Sequence, residues 1–564
     1  MKVVIVGGVA GGATAAARIR RLDEQAEIVV FERSGYVSYA NCGLPYYIGD
    51  TITDPETLTL QTPDSFFSRL RIKMTVHHEV TAIHPDRKTV SVKNLQNGTE
   101  FEEDYDKLLL SPGAKPTQPK LPGVGLSNLF TLRTVEDTFR IKNYINSHHP
   151  KSAVLAGGGF ISLELAENLR HLGMDVTIVQ RPKQLLNPFD PDMAAFLHSE
   201  MRNHGITLAL GHTVEGFQEK DGGIDVLLKE EVPLHADLVV LAIGVSPDTA
   251  LARDAGLELG VKGSIVVNDR METSVPHIYA AGDAVQIKHF VTGEDAVISL
   301  AGPANKQGRI AADNICGRDS RYLGSQGSSI IKIFDLTAAT TGINETAAKK
   351  AGLNVDKVIL SPLSHASYFP GGKVMTMKVL FEKETYRLLG AQIIGYEGVD
   401  KRIDVLSAAI HAGMNATQLK DLDLAYAPPY SSAKDPVNMA GFMIDNIANG
   451  ILKQWFLEDV TNLPRDGSAT LLDVRTPEEY EAGHIEGFQN IPLDQLRERL
   501  HEIPPHIPVY VICQSGLRSY IASRILAGSG FDPYNFSGGF RFYDAVINDR
   551  CLIERATLCG MDHL

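Results

Sequence analysis

The chain has 564 residues, 44% hydrophobic and 22% charged, with a formal net charge of -14; this is a globular composition too long for one hydrophobic core, so three or four domains are expected. An acidic balance gives no nucleic-acid partner unless a local basic patch exists, no run approaches the roughly 18 to 20 apolar residues that span a bilayer, and the apolar start MKVVIVGG is too short for a secretory signal. Five scattered cysteines (Cys42, Cys316, Cys513, Cys551, Cys559) lack the paired spacing of a zinc site or disulfide framework, so the expectation is a protein of the reducing cytoplasm with no metal and no membrane.

Residues 2–6 form an apolar run, GGVAGG follows, ATAAARIRRL has helical composition, and EIVVFER is a second strand ending in Glu32. In a dinucleotide fingerprint the glycines allow a tight turn and close approach of a pyrophosphate to the helix N-terminus, while an acid about 20 residues on holds a ribose hydroxyl. Gly7, Gly12 and Glu32 fit this pattern, although Val9 stands where the middle glycine usually is. Ten positions after Glu32 comes Cys42, in VSYANCGLPYYIGD. YDKLLLSPGAKP (105–116) is a strand running into a small-residue turn. SAVLAGGGFISLELAENLRHLGMDVTIVQR then repeats strand, glycine turn (Gly157, Gly159, Ser162), helix and strand, implying a second nucleotide site. Its last strand ends in Gln180 and Arg181 rather than an acid, so repulsion of a 2'-phosphate is absent and either NADH or NADPH fits. ADLVVLAIGVSPDT (236–249) and HIYAAGDAV (277–285) are two more strands ending in small-residue turns. Any one of these alone reads equally as an ordinary buried strand.

Five such segments in this order resemble the two-dinucleotide flavoprotein disulfide reductases, over residues 1 to about 445. The resemblance implies an α/β chain with two Rossmann-like domains. The first, at 1–118 and 250–325, binds FAD and is split by an NAD(P)H domain at 119–249. An α+β dimerisation domain at 326–447 follows, and a homodimer with shared active sites. On this resemblance FAD meets Gly7, Gly8, Ala10, Gly11 and Gly12 in the first turn, Glu32 and Arg33 at the second strand, Asn41 beside the cysteine, Ser111 and Gly113, Asp283 in the GD turn, and Ala301. NAD(P)H meets Gly157, Gly159, Phe160, Ile161, Gln180 and Gly244.

An isolated cysteine is usually a small buried hydrophobe, but in this family the redox cysteine follows the first acidic strand at about the interval of Cys42. Most members use Cys-x4-Cys; here Tyr47 occupies the fifth position after Cys42. A lone thiolate stores oxidising equivalents only as a mixed disulfide, a sulfenic acid or a persulfide. Single-cysteine peroxidases of this fold carry a histidine in the first glycine turn, where this chain has Ala10. GGVAGGATAAARIRR, SYANCGLPY, SHASYFPGG and YAPPYSSAKD instead resemble the coenzyme A disulfide reductases. That resemblance implies that Tyr368 and Tyr426 reach the active site across the dimer interface, where a phenol protonates an expelled thiolate. Tyr426 is the stronger candidate, and the alternative is that both are interface aromatics. CoA phosphates need cations: Arg18 and Arg21 on the first helix, then Lys401 and Arg402, are candidates with Ser38 and Gln61, although each charge pair reads equally as a solvated face.

After NGILKQWFLEDV the pattern restarts as a separate α/β module at 456–564. LLDVRTPEEYEAGHIEGFQNIP resembles the rhodanese family along its length. Cys513 ends a strand and Arg518 closes a loop before a helix, whose N-terminal N–H groups can surround an anionic sulfur. The spacing Cys-x4-Arg makes a smaller loop than the Cys-x5-Arg of phosphatases, suited to sulfane sulfur, and Cys551 and Cys559 lie outside it. The combined expectation is an FAD-dependent enzyme that uses NAD(P)H to reduce CoA disulfide, CoA persulfide or polysulfide at Cys42, with a rhodanese module handling sulfane sulfur. The alternatives are an NADH oxidase or peroxidase with an accessory sulfurtransferase, and a non-catalytic sulfur-responsive binding protein. The last is disfavoured because Cys42, Glu32, Asp283 and both tyrosines are present.

Overall fold

The computed structural model describes residues 1–559, with side chains through Glu554. It divides into two compact units: Met1–Lys183 with Gly205–Gly327, and Gln184–His204 with Ser328–Cys559.

The first unit holds two parallel sheets. One runs Ile278–Ala280, Lys107–Leu110, Lys2–Val6, Glu27–Phe31, Lys73–Thr75. Val3, Val4, Ile5, Val30, Leu108 and Leu109 are fully or almost fully buried, as expected of strands covered on both faces, which read as unbroken apolar runs. Helix Ala10–Leu22 packs on helix Ala301–Ile315 through glycines, since a Cβ on Gly308 would lie 2.3 Å from the Gly11 carbonyl oxygen. The second sheet runs Ile206–Leu210, Asp175–Gln180, Ser152–Ala156, Leu238–Leu241, Leu129–Thr131. The antiparallel pair Ala114–Pro116 with Val245–Pro247 joins the segments through which the chain passes from one sheet region to the other and back.

Within the stretch expected to be one nicotinamide domain, helix Pro191–Asn203 belongs instead to the second unit. The reason is its buried face: Met193, Ala194, Leu197 and Met201 are fully buried, and His198 Nδ1 hydrogen-bonds Asp549 at 2.7 Å on the C-terminal helix Gly539–Cys559.

The second unit continues with an antiparallel sheet ordered Ser329–Ile333, Leu336–Gly342, Leu388–Gly395, Met375–Glu382, Val355–Leu360, accompanied by helices Val399–His411 and Pro436–Ala448. A parallel sheet follows, ordered Gln454–Trp455, Asp532–Phe536, Pro508–Ile512, Thr470–Asp473, Gln489–Asn490. Lys378, almost wholly buried, meets Asp190 at 3.0 Å, Asp192 at 2.9 Å and Glu345; Lys357 bridges Glu345 and Glu458 at 2.7 and 2.8 Å. Buried ammonium groups need such partners to offset desolvation, and here they tie the helix, the antiparallel sheet and the start of the last module together. The α/β and α+β classes expected from sequence are therefore observed. Among the described residues no helix is long and apolar enough to cross a membrane, and no cluster of three or more His, Cys, Asp or Glu could hold a metal.

Candidate active site

The first glycine turn is fixed by contacts that only glycine tolerates. Gly7 has φ +96°, and a Cβ there would lie 2.1 Å from the Ser111 carbonyl oxygen; a Cβ on Gly12 would lie 1.9 Å from the Gly7 oxygen. Helix Ala10–Leu22 starts after Val9 with no side-chain cap and no acid in its first turn. The same holds for Phe160–His171 after Gly159 and for Ala301–Ile315 after Leu300. Helix Val135–His148, by contrast, is closed by a capping box between Thr134 and Asp137. Uncapped N–H groups with no acid in the first turn suit phosphate. Glu32 is 8% exposed; its carboxylate accepts from the N–H groups of Gly8 at 2.8 Å and Ser34 at 2.9 Å, while burial pushes its pKa up. The second turn repeats the device at Gly157, φ +119°, with a Cβ position 2.2 Å from the Ala242 oxygen; nothing lies within 4 Å of that position on Gly159 or Gly244, leaving room for a ligand's approach. These turns, open helix ends and a buried acid fit two dinucleotides.

Cys42 lies in the short turn Asn41–Gly43 ahead of helix Leu44–Ile48, exposed and without a disulfide partner. Tyr47, where a second cysteine would stand, packs edge-on against Phe139 with ring centres 5.7 Å apart. Surrounding protein atoms and the Glu164 carboxylate push the Cys42 thiol pKa up, whereas Arg133 acts the other way. Burial and Glu167 lift Glu164 itself to about 7. Arg133 Nη2 also donates to Asp283 at 2.7 Å. Beside the cysteine, the buried Oδ1 of Asn41 has no hydrogen-bond partner among the described residues.

In the second unit the Tyr368 and Tyr426 hydroxyls are 2.6 Å apart, on side chains 72% and 45% exposed, and this bond pushes the Tyr426 phenol pKa up. Cys513 directly follows strand Pro508–Ile512 and is fully buried; its sulfur accepts from Gly516 N–H at 3.1 Å and Ser519 Oγ at 3.2 Å. Gly516, at φ +98°, caps helix Leu517–Gly528, so the cradle depends on that left-handed residue.

Three parts of the chain match described families: residues 1–308 match the pyridine nucleotide-disulphide oxidoreductases, 328–436 the dimerisation domain of the same family, and 456–545 the rhodanese-like domain. The chain belongs to the pyridine nucleotide-disulphide oxidoreductases. Among its relatives is the coenzyme A disulfide reductase of Staphylococcus aureus, 36% identical over 442 residues, which are 78% of this chain and 99% of that protein. Two solved structures extend through the last module. Reduced CoADR-RHD of Bacillus anthracis is 46% identical with a TM-score of 0.95, covering 97% of this chain and 98% of its own. An NAD-dependent persulfide reductase from A. fulgidus is 38% identical with a TM-score of 0.90, covering 96% and 100%.

In this oxidoreductase most expected cofactor positions cluster at the turns described. Gly8, Ala10 and Gly11 line the first turn; Phe160 and Ile161 open the second helix; Gln180 ends its strand, with Arg181 exposed beyond it. Ser111 lies half-buried against Gly7 and Gly11, Gly113 adopts φ +70°, Ala301 begins the third uncapped helix, and Arg33 pairs with Asp248 at 2.9 Å. The expected CoA contacts divide. Arg21 is exposed on the first helix, whereas Arg18 is tied to Asp313 at 2.7 Å. Ser38 takes φ +47° and donates its N–H to Gly8, and Gln61 accepts from Ser65 Oγ.

Arg402 departs from its expected role. It is 1% exposed and its donors are spent on Asp435, Ser431 Oγ and the carbonyls of Gly398, Ser364 and Tyr430. Lys401 donates to the Ala425 carbonyl at 3.1 Å and lies 3.7 Å from Asp435. Both residues therefore shape the loop that carries Tyr426. Arg518 is held by Glu479 in two 2.7 Å bonds, which lower the Glu479 pKa to about 2. Cys551 is exposed on the C-terminal helix; the Cys559 side chain is outside the described residues. Sequence reasoning missed Arg133, which lies outside every motif it used, and passed over Glu164 and Glu479, which lie inside the second glycine-turn stretch and the LLDVRTPEEYEAGHIEGFQNIP stretch without being singled out.

Proposed function

We propose that the chain is an FAD-dependent reductase that oxidises NADH or NADPH and reduces CoA disulfide, CoA persulfide or polysulfide through Cys42, as a cytoplasmic homodimer in which Tyr426 and Tyr368 of one protomer stand beside Cys42 of the other. One observation carries it: the exposed thiol of Cys42, with an aromatic where its resolving partner would be, follows a dinucleotide turn that fits FAD. The names of the relatives from S. aureus, B. anthracis and A. fulgidus support the same reading.

Bound FAD supplies the two-electron couple between nicotinamide and sulfur. Gly7, Gly12 and the first helix would hold its pyrophosphate, Glu32 its ribose and Asp283 its side chain. The Cys42 thiolate attacks one sulfur of the substrate; a Cys42–S–S–R bond forms as the substrate S–S bond breaks and RS⁻ leaves. Arg133 favours the thiolate electrostatically, against the burial and the Glu164 charge that raise the thiol pKa. The Tyr426–Tyr368 pair supplies the proton taken by RS⁻. Two electrons and a proton then cleave the mixed disulfide, restoring the thiolate and releasing the second thiol. A persulfide follows the same balance and releases hydrogen sulfide. At the nicotinamide site, Gln180 and Arg181 place no carboxylate against a 2'-phosphate, so NADPH is accepted alongside NADH.

Anaerobic NAD(P)H oxidation by the holoenzyme tests the assignment, with CoA disulfide, polysulfide, peroxide and oxygen compared as acceptors. A sulfur acceptor should be fastest; preference for oxygen or peroxide would make the protein an oxidase or peroxidase. Tyr426→Phe should slow CoA disulfide reduction by about 10² to 10⁴ and leave the dimer intact by sedimentation, because one exposed hydroxyl is removed. An unchanged rate would leave Tyr426 as packing.

A further inference from the structure

A cavity of about 390 Å³ lies within the second unit, lined by helix Pro191–Asn203, by Thr376 and Tyr396 of the antiparallel-sheet domain, and by Arg541, Asp544 and Asn548 of the C-terminal helix. Most charged groups in its wall are already paired. Asp549 accepts from His198 at 2.7 Å and from Arg202 at 2.5 Å. Glu200 accepts from the Tyr396 hydroxyl at 3.0 Å and lies 3.6 Å from His204 Nδ1. Arg541 is different: among the described residues its guanidinium makes no hydrogen bond or ion pair, and its Nη1 is closed off from solvent without a partner. Burial pushes its pKa down, and the Tyr396 phenol opposes this from nearby.

A half-buried cation with unused donors carries a desolvation cost that, among the described residues, no hydrogen bond or ion pair offsets and only the nearby Tyr396 opposes, and such groups call for a specific explanation. A guanidinium offers a flat fork of N–H donors that matches two oxygens of one anion. We propose that this cavity is a binding site for a small oxyanion, a carboxylate or a tetrahedral phosphate or sulfur oxyanion, held on the Arg541 guanidinium. The site adjoins the sulfur-carrying loop through the backbone, since Arg541 N–H donates to the Gln514 carbonyl at 3.2 Å and Phe540 N–H to that of Cys513 at 2.8 Å. It is independent of the redox assignment for Cys42.

Calorimetric titration of the full-length holoenzyme with sulfate, inorganic phosphate and acetate, at an ionic strength fixed with chloride, tests the site. At least one anion should show a binding component that Arg541→Met weakens tenfold or more and Arg541→Lys weakens less. The phosphate-binding helix ends and the Cys513 cradle are unaltered by either substitution and cancel in the comparison. Removing an unpaired buried charge should also leave the melting temperature of Arg541→Met in chloride equal to or above the parent's. Isotherms for all three anions unchanged by Arg541→Met would overturn the site. So would a lower melting temperature in chloride, which would make the guanidinium a structural contact.

Discussion

Cys42→Ser should keep FAD and lose reduction of CoA disulfide, with the rate falling by roughly 10³-fold or more, as when a covalent nucleophile is removed. A serine oxygen cannot form the mixed disulfide that holds the substrate's oxidising equivalents. Cofactor retention follows from where the contacts lie. The turn is set by Gly7 against Ser111 and Gly12 against Gly7, and Glu32 is held by Gly8 and Ser34, none of which involves Cys42. Flavin absorbance of the purified variant and its anaerobic bleaching by NAD(P)H measure the retained half; steady-state rates measure the lost half. Full turnover on CoA disulfide would remove Cys42 from the mechanism.

Cys513→Ser should abolish transfer of sulfane sulfur from thiosulfate or persulfide while leaving reduction of freely diffusing CoA disulfide near normal. The two bonds that the sulfur accepts, from Gly516 N–H and Ser519 Oγ, can be accepted by a serine oxygen, so the module keeps its fold. The cradle gives the sulfur two hydrogen-bond donors and, among the described residues, no second thiol; in the proposed role Cys513 holds sulfur without reducing it. If sulfane sulfur must load there first, the variant loses polysulfide reduction selectively, and added CoA partly restores it by carrying sulfur to Cys42. Rates on each acceptor, with and without CoA, decide this. Equal loss on CoA disulfide would give the module a structural role, and no loss on any sulfane substrate would mean that the two halves work independently.

The parts legible in the sequence are those set by local chemistry. Gly7 and Gly157 announce themselves because a left-handed turn pressed against a carbonyl admits nothing else, and the continuous apolar strands around them signal parallel sheets covered on both faces. The Cys513 loop is legible through local chemistry too, in the cysteine at a strand end, the Cys-x4-Arg spacing and the helix that follows. What escaped depends on tertiary contact. Arg133 meets Asp283 across 150 positions, and Glu479 meets Arg518 across 39, with no motif linking either pair. Arg402 reads as a surface charge next to Lys401; only the folded loop, with Asp435 and three carbonyls around it, shows a buried structural cation. Helix Pro191–Asn203 follows the nicotinamide fingerprint in sequence, yet its apolar face and His198 are satisfied by the second unit.

The central claim is that one thiol, Cys42, carries the oxidising equivalents as a mixed disulfide with the substrate thiol. Peptide mass mapping of the anaerobic oxidised holoenzyme after exposure to CoA disulfide tests it directly. The predicted result is one CoA adduct per protomer, on the peptide containing Cys42, released as CoA thiol by one equivalent of NAD(P)H and absent from Cys42→Ser. Turnover of CoA disulfide with no adduct at Cys42, or with the adduct confined to Cys513, would contradict it.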